Sequence, residues 1–178
     1  VPEEKWVMSH IEKVVTGLRS KFGEHVLSVD VFRDQTTVEL ARDVIDDVCS
    51  TLNSEYDFEL LAALTAVDYW PEEPRFVVIY QLYSLKHKVF IGLRVPIHST
   101  TSEIPTVEKI YLNANWHERE VYDMFGINFS GHSDLRRILM PYDWEGHPLR
   151  KDYPLGYEEI QFSFNFDEID RRKPYAKE

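Results

Sequence analysis

One cysteine, Cys49, is all the thiol chemistry available to these 178 residues. A lone thiol excludes an internal disulfide framework and an iron–sulfur cluster held by this chain's own cysteines, and it suits a reducing compartment. Glycine is scarce as well: seven residues, none forming GxGxxG or GxxxxGK, so no phosphate-cradling loop can be read. No apolar run approaches the roughly 18 to 20 residues that span a bilayer. The opening stretch VPEEKWVMSH lacks the basic-then-apolar layout of a signal peptide. The expectation is a soluble chain that meets a membrane only through a partner. Basic residues are outnumbered, 20 against 31 acids, for a net charge of −11, which argues against nucleic acid. The basic clusters Arg136-Arg137, Arg150-Lys151 and Arg171-Arg172-Lys173 are short and flanked by acids, a pattern for ion pairing or docking.

What is present is a globular composition, 43% hydrophobic with 29% charged, on a chain long enough for one cored domain and an appendage. Val7, Ile11, Val14, Val15, Leu18 and Phe22 recur at three- and four-residue steps, which predicts a helix over 4–22 stopped at Gly23. Two β-prone runs follow, 26–32 and 36–40, split by Asp34-Gln35. Val44, Ile45, Val48, Cys49 and Leu52 line a second helix over 42–53, making Cys49 a small core residue rather than a nucleophile. FVVIYQLYSL and KVFIGLRVP read as a hairpin, while FELLAALTAVDYW fits strand or helix. The fold class is α+β, with two helices on a mostly antiparallel sheet, a signature helix and an extended C-terminal arm. The domain is expected over 1–140 and the arm over 141–178.

The segment WHEREVYDMFGINFSGHSDLRRILMPYDWEGHPLRKDYPL, residues 116–155, crowds acids and histidines together. A short helix is expected near 106–111 and a firmer one over 116–125, with Asn115 as N-cap, Glu118 completing a capping box and Gly126 ending it. Arg119 and Asp123 are spaced for an i,i+4 ion pair. HExxH is not completed after His117-Glu118, so His117, Glu120, His132 and His147 could form a metal site only through the fold. Glu118 and Glu120 point to different sides of a helix and make a poor acid/base pair. Beyond residue 141 the prolines, Trp144, Leu149, Arg150 and Tyr153 make a docking arm, since aromatics and arginine dominate binding hot spots. Ile160, Phe162, Phe164 and Phe166 alternate as on one side of a strand.

HEREVYDMFGINFSGHSDLRRIL and the later EGHPLRKDYPL resemble the thirty-kilodalton subunit family of proton-translocating NADH:quinone oxidoreductase, respiratory complex I. The family signature falls on Glu118, Arg119, Glu120, Asp123, Met124, Phe125, His132, Arg136, Ile138 and Leu139. The resemblance implies a non-catalytic structural subunit of the hydrophilic arm, beside the forty-nine-kilodalton quinone-site subunit and neighbouring iron–sulfur subunits. That enzyme passes electrons from NADH to quinone and couples them to proton translocation. FMN, iron–sulfur clusters and quinone are then expected in partner subunits and none in this chain. The implied partner interface is Trp144, Gly146, His147, Pro148, Leu149, Arg150, Lys151, Asp152, Tyr153 and Pro154. The implied location is the cytoplasmic face of a bacterial inner membrane, or else the mitochondrial matrix face. Ferredoxin-, deazaflavin- and hydrogenase-type membrane complexes carry related modules and stand as the alternative, ahead of a free-standing metal-dependent enzyme.

Overall fold

Arg33 and Asp34, both in the left-handed region at φ 49° and 64°, close a two-residue hairpin between β1 (Val26–Phe32) and β2 (Gln35–Leu40). The turn lies one residue earlier than the sequence pattern suggests. The computed structural model describes residues 2–153 together with the isolated positions 164, 167 and 171, and side chains from position 10 onward. α1 (Pro2–Phe22) precedes the hairpin and α2 (Ile45–Tyr56) follows it. Residue 57 takes the left-handed cap of α2 that glycine often fills, and its carboxylate pairs with Lys86 at 2.8 Å.

FELLAALTAVDYW resolves as a strand, β3 (Leu60–Asp68), because one of its faces packs on the core while Leu60 stays exposed. It pairs antiparallel with β4 (Phe76–Ser84), which pairs antiparallel with β5 (Val89–Ile97). The sheet order is β1-β2-β5-β4-β3, and β2 meets β5 in parallel, the one crossover in an otherwise antiparallel sheet. A short parallel pair, β6 (Glu103–Pro105) with β7 (Asn128–Ser130), brackets α3 (Ala114–Phe125). The expected helix over 106–111 is instead a pair of turns, in which the amides of Ile110 and Tyr111 both donate to the Val107 carbonyl.

One apolar cluster joins Val14 and Leu18 of α1, Cys49 and Leu52 of α2, the sheet, and Val121, Met124 and Phe125 of α3. α3 therefore belongs to the core and lies against β3. Cys49 is fully buried, as a core residue should be, and burial pushes its thiol well above the ordinary range. Of the alternating apolar residues near the C-terminus, Phe164 is exposed, and positions 160, 162 and 166 lie outside the described residues.

Candidate docking site: the signature helix and its clasp

A helix leaves its last four carbonyls without intrahelical donors. In α3 these are the carbonyls of Tyr122, Asp123, Met124 and Phe125, and each finds a specific donor. The Gly126 amide donates to Tyr122 at 2.9 Å. His147 Nδ1 lies 2.9 Å from the Asp123 carbonyl, the Leu149 amide donates to Met124 at 3.1 Å, and Arg150 Nε donates to Phe125. The GHPLR stretch is thus a C-cap supplied from more than twenty residues downstream. Its basic side chains also sit at the negative end of the helix dipole. Because a carbonyl only accepts, His147 carries its proton on Nδ1, and burial, the largest influence, lowers its pKa toward the neutral ring.

Gly126 is where the clasp closes. At φ 72° it turns the chain left-handed, and a Cβ there would stand 2.6 Å from both Arg150 Nη2 and His147 Nε2. Gly126→Ala should therefore cost roughly 1–3 kcal/mol and free the 146–153 segment. Urea unfolding combined with protease cutting of that segment measures both effects. Cutting as slow as in the parent protein would count against the clasp.

Asp123 holds the next stretch of chain. Its buried Oδ2 accepts the successive amides of Ile138, Leu139 and Met140 at 3.0, 2.7 and 2.8 Å. Its Oδ1 accepts Arg137 Nη1 at 2.6 Å, and Arg137 Nη2 reaches on to the Gly146 carbonyl. Burial alone would raise this carboxyl. The Met140 amide, Arg137 and the other two amides outweigh it and hold the group below its ordinary range. The expected Arg119–Asp123 pair is not formed. Three adjacent amides and a guanidinium offer a buried carboxylate more than one helical neighbour could, and Arg119 turns to the carbonyls of Arg136 and Arg137.

Glu118 also departs from expectation. α3 begins at Ala114 with residue 113 at its cap position and no side-chain cap bond, so no capping box exists. Glu118 points inward instead, fully buried, and accepts from the Val107 amide at 2.8 Å and from the Thr106 hydroxyl. Burial raises it to about 7, against the pull of those two donors. His132 lies 3.8 Å away but supplies no countercharge: its Nδ1 accepts the Asp134 amide, so the proton sits on Nε2, which faces the Asn115 carbonyl. Glu108 ties the neighbouring loop through Asn115 and Ser133.

A third anchor lies where the arm meets the end of β3 and the start of β4. Arg75, barely exposed, forks to Asp68 at 2.9 and 3.0 Å and to Asp152 at 2.7 and 3.0 Å. Asp68 in turn accepts the Lys151 amide at 2.8 Å. Asp68 first, and then Asp152, hold Arg75 firmly protonated. Sequence reasoning passed over Asp68, Arg75, Thr106 and Glu108. The only local signal was an acid and an arginine flanking the proline pair of DYWPEEPR.

The residues singled out from sequence thus divide by exposure. Glu118, Asp123, Met124 and Phe125 are buried; Arg119, His132 and Ile138 are half-buried; Glu120, Arg136 and Leu139 are exposed. In the arm, His147, Pro148 and Arg150 are half-buried, as are Trp144 and Tyr153, while Gly146, Leu149, Lys151 and Asp152 are exposed; Pro154 lies outside the described residues. Among the described residues no three His, Cys, Asp or Glu side chains group as metal ligands, so His117, Glu120, His132 and His147 are not brought together as such a set.

These features define a class of protein: an α+β domain whose C-terminal strap is fastened across a buried-acid helix. Residues 38–159 match the family described as respiratory-chain NADH dehydrogenase, 30 Kd subunit, and the chain belongs to that family. It is 45% identical over 167 residues to the C subunit of NADH-quinone oxidoreductase from Roseiflexus sp. (strain RS-1), spanning 93% of this chain and 96% of that one. The corresponding protein of Geobacter sulfurreducens is 45% identical over 149 residues, 83% and 92% of the two chains. A solved trypsin-resistant fragment (1–134) of Nqo5 superposes with a TM-score of 0.63 at 30% identity, over 71% of this chain and 99% of the fragment. An archaeal membrane-bound sulfane sulfur reductase complex contains the same fold, with a TM-score of 0.67 at 23% identity over 94% and 95% of the chains.

Proposed function

We propose that this chain is a cofactor-free structural subunit of NADH:quinone oxidoreductase, docked through its strap beside the forty-nine-kilodalton quinone-site subunit. Its relatives are subunits of that multi-subunit oxidoreductase, so its partners are other subunits of the same complex. FMN, iron–sulfur clusters and quinone are assigned to those partners. The observation that carries the reading is the Asp123 clasp. The signature acids Glu118 and Asp123 are buried and hydrogen-bonded within the chain, while Leu139, Tyr142 and Leu149 are left 62%, 87% and 53% exposed on the segment they hold. Apolar side chains presented on a pre-ordered strap suit a protein partner, because little ordering entropy remains to be lost on docking. The lone, buried Cys49 supports assigning the clusters elsewhere. We assign residues 1–140 to the body and 141–178 to the docking arm.

No helix among the described residues is long and apolar enough to cross a membrane. Association with the membrane is assigned to the complex, on the cytoplasmic face of a bacterial inner membrane, in keeping with relatives from Roseiflexus and Geobacter. The mitochondrial matrix face is the equivalent position in an organelle.

The test is assembly. Deleting 141–178, or charging the exposed strap with Tyr142→Glu and Leu149→Glu together, should release the chain from the large quinone-site subunit on affinity purification. The double variant should melt close to the parent, since both side chains face solvent. Normal assembly of the chain without residues 141–178 would end the docking-arm reading.

A further inference from the structure

The clasp leaves one charge unanswered. Arg119 donates Nε to the Arg136 carbonyl at 3.1 Å and Nη2 to the Arg137 carbonyl at 3.4 Å, and stacks 5.2 Å from the Trp116 ring. That engages two of the five N–H donors a guanidinium carries. Among the described residues no carboxylate pairs with it. Arg119 opens instead onto a pocket of about 470 Å³, between α3 and the 135–142 turn, lined also by Arg136, Arg137, Tyr122, Met140 and Tyr142. Among the described residues three arginines and no carboxylate line this pocket, in a chain whose net charge is −11. Arg137 is paired with Asp123 and Arg136 with Asp134 at 2.6 Å, so among the described residues Arg119 is the pocket arginine with no carboxylate in hydrogen-bond contact, Asp134 acting on it only from a distance.

We infer that this pocket receives an Asp or Glu side chain from a neighbouring subunit, with Arg119 as its bidentate partner. A guanidinium fork matches the planar carboxylate with two parallel bonds. Phosphate, the other common anion, is served less well. The consecutive amides that could wrap it, those of 138–140, are already committed to Asp123. The surroundings have the make-up of a protein contact: Trp116, over which Arg119 stacks, is 60% exposed, and Tyr142 in the lining is 87% exposed. An arginine ringed by aromatics is the usual composition of an interface hot spot. The inference rests on the proposed docking role and identifies the chemistry of the partner group at that face.

Replacing Arg119 with lysine keeps the charge and supplies an amine, so a zero-length carbodiimide can join it to any carboxylate in contact. In the intact complex carrying Arg119→Lys, peptide mapping should find the introduced amine linked to an Asp or Glu of another subunit. Arg119→Glu should reduce recovery of the chain in the complex at least tenfold at low salt, while the isolated variant melts within a few degrees of the parent. An introduced amine left unlinked while other lysines of the complex react, or linked only within its own chain, overturns the inference. So does assembly of Arg119→Glu at the parent level. The docking-arm reading fails on a different result, normal assembly without residues 141–178, so the two failures are separable.

Discussion

Asp123→Ala should lower unfolding stability by about 3–5 kcal/mol, the range for breaking a buried, hydrogen-bonded ion pair from one side. The magnitude follows from what is left behind. The carboxylate is completely buried and takes four donors, three of them adjacent backbone amides. Alanine leaves the amides of Ile138, Leu139 and Met140 without an acceptor and Arg137 without a counterion. Orphaned buried donors keep their full desolvation penalty, so the loss exceeds the net value of the bonds themselves. Some water entry will soften the effect, because Ile138 and Met140 are only half-buried. For a chain of this size the change corresponds to a fall of roughly 10 °C in melting temperature. Asp123→Asn keeps one oxygen for the amides but loses the charge toward Arg137, and should fall between parent and alanine. Urea titration of all three proteins measures the series. A loss under about 1 kcal/mol for alanine would show that the 138–140 turn does not depend on the carboxylate.

The same residue shows what could be read from sequence and what could not. The apolar stripe of α2, the β4–β5 hairpin, the α3 helix and its Gly126 stop were all legible, because periodicity and turn chemistry are local. Local rules also produced the errors. An i,i+4 spacing placed Arg119 opposite Asp123, and a Glu three residues past Asn115 suggested a capping box. Both side chains were claimed by chain segments distant in sequence: Asp123 by residues 137–140, Glu118 by Thr106 and Val107. The parallel β2–β5 pairing and the short β6–β7 pair were hidden for the same reason, since a crossover leaves no mark in the pattern of either strand. The two motifs, read separately as a signature helix and a docking arm, are one device. EGHPLRKDYP supplies donors to the carbonyls of Asp123, Met124 and Phe125 that Gly126 leaves open, and Arg75 fixes its far end. Of the residues that look reactive in the sequence, Glu118, Asp123, His132 and His147 each have hydrogen-bond partners within the chain.

Glu118 and Asp123, five residues apart on one helix, should give the protein opposite pH dependences. Burial holds the Glu118 carboxyl at about 7, so the folded chain keeps a proton that the unfolded chain releases near the ordinary value of 4.5. Its contribution is most favourable below 4.5 and is lost as pH rises to about 7, a change on the order of 3 kcal/mol. Above 7 the carboxylate is ionised in both states and the curve is flat. Asp123 is held below its ordinary range, so its contribution is present at neutral pH and is lost on acidification. Glu118→Gln is the discriminating variant. Its amide oxygen can accept from Val107 while its NH2 donates to Thr106, reproducing the protonated acid at every pH. The parent should match Glu118→Gln near pH 4.5 and fall behind it by about 3 kcal/mol at pH 8. Asp123→Asn should behave in reverse, lagging the parent most at neutral pH and converging with it in acid. Parallel stability curves for parent and Glu118→Gln would mean that Glu118 stays ionised, with water or a rearranged His132 answering its charge.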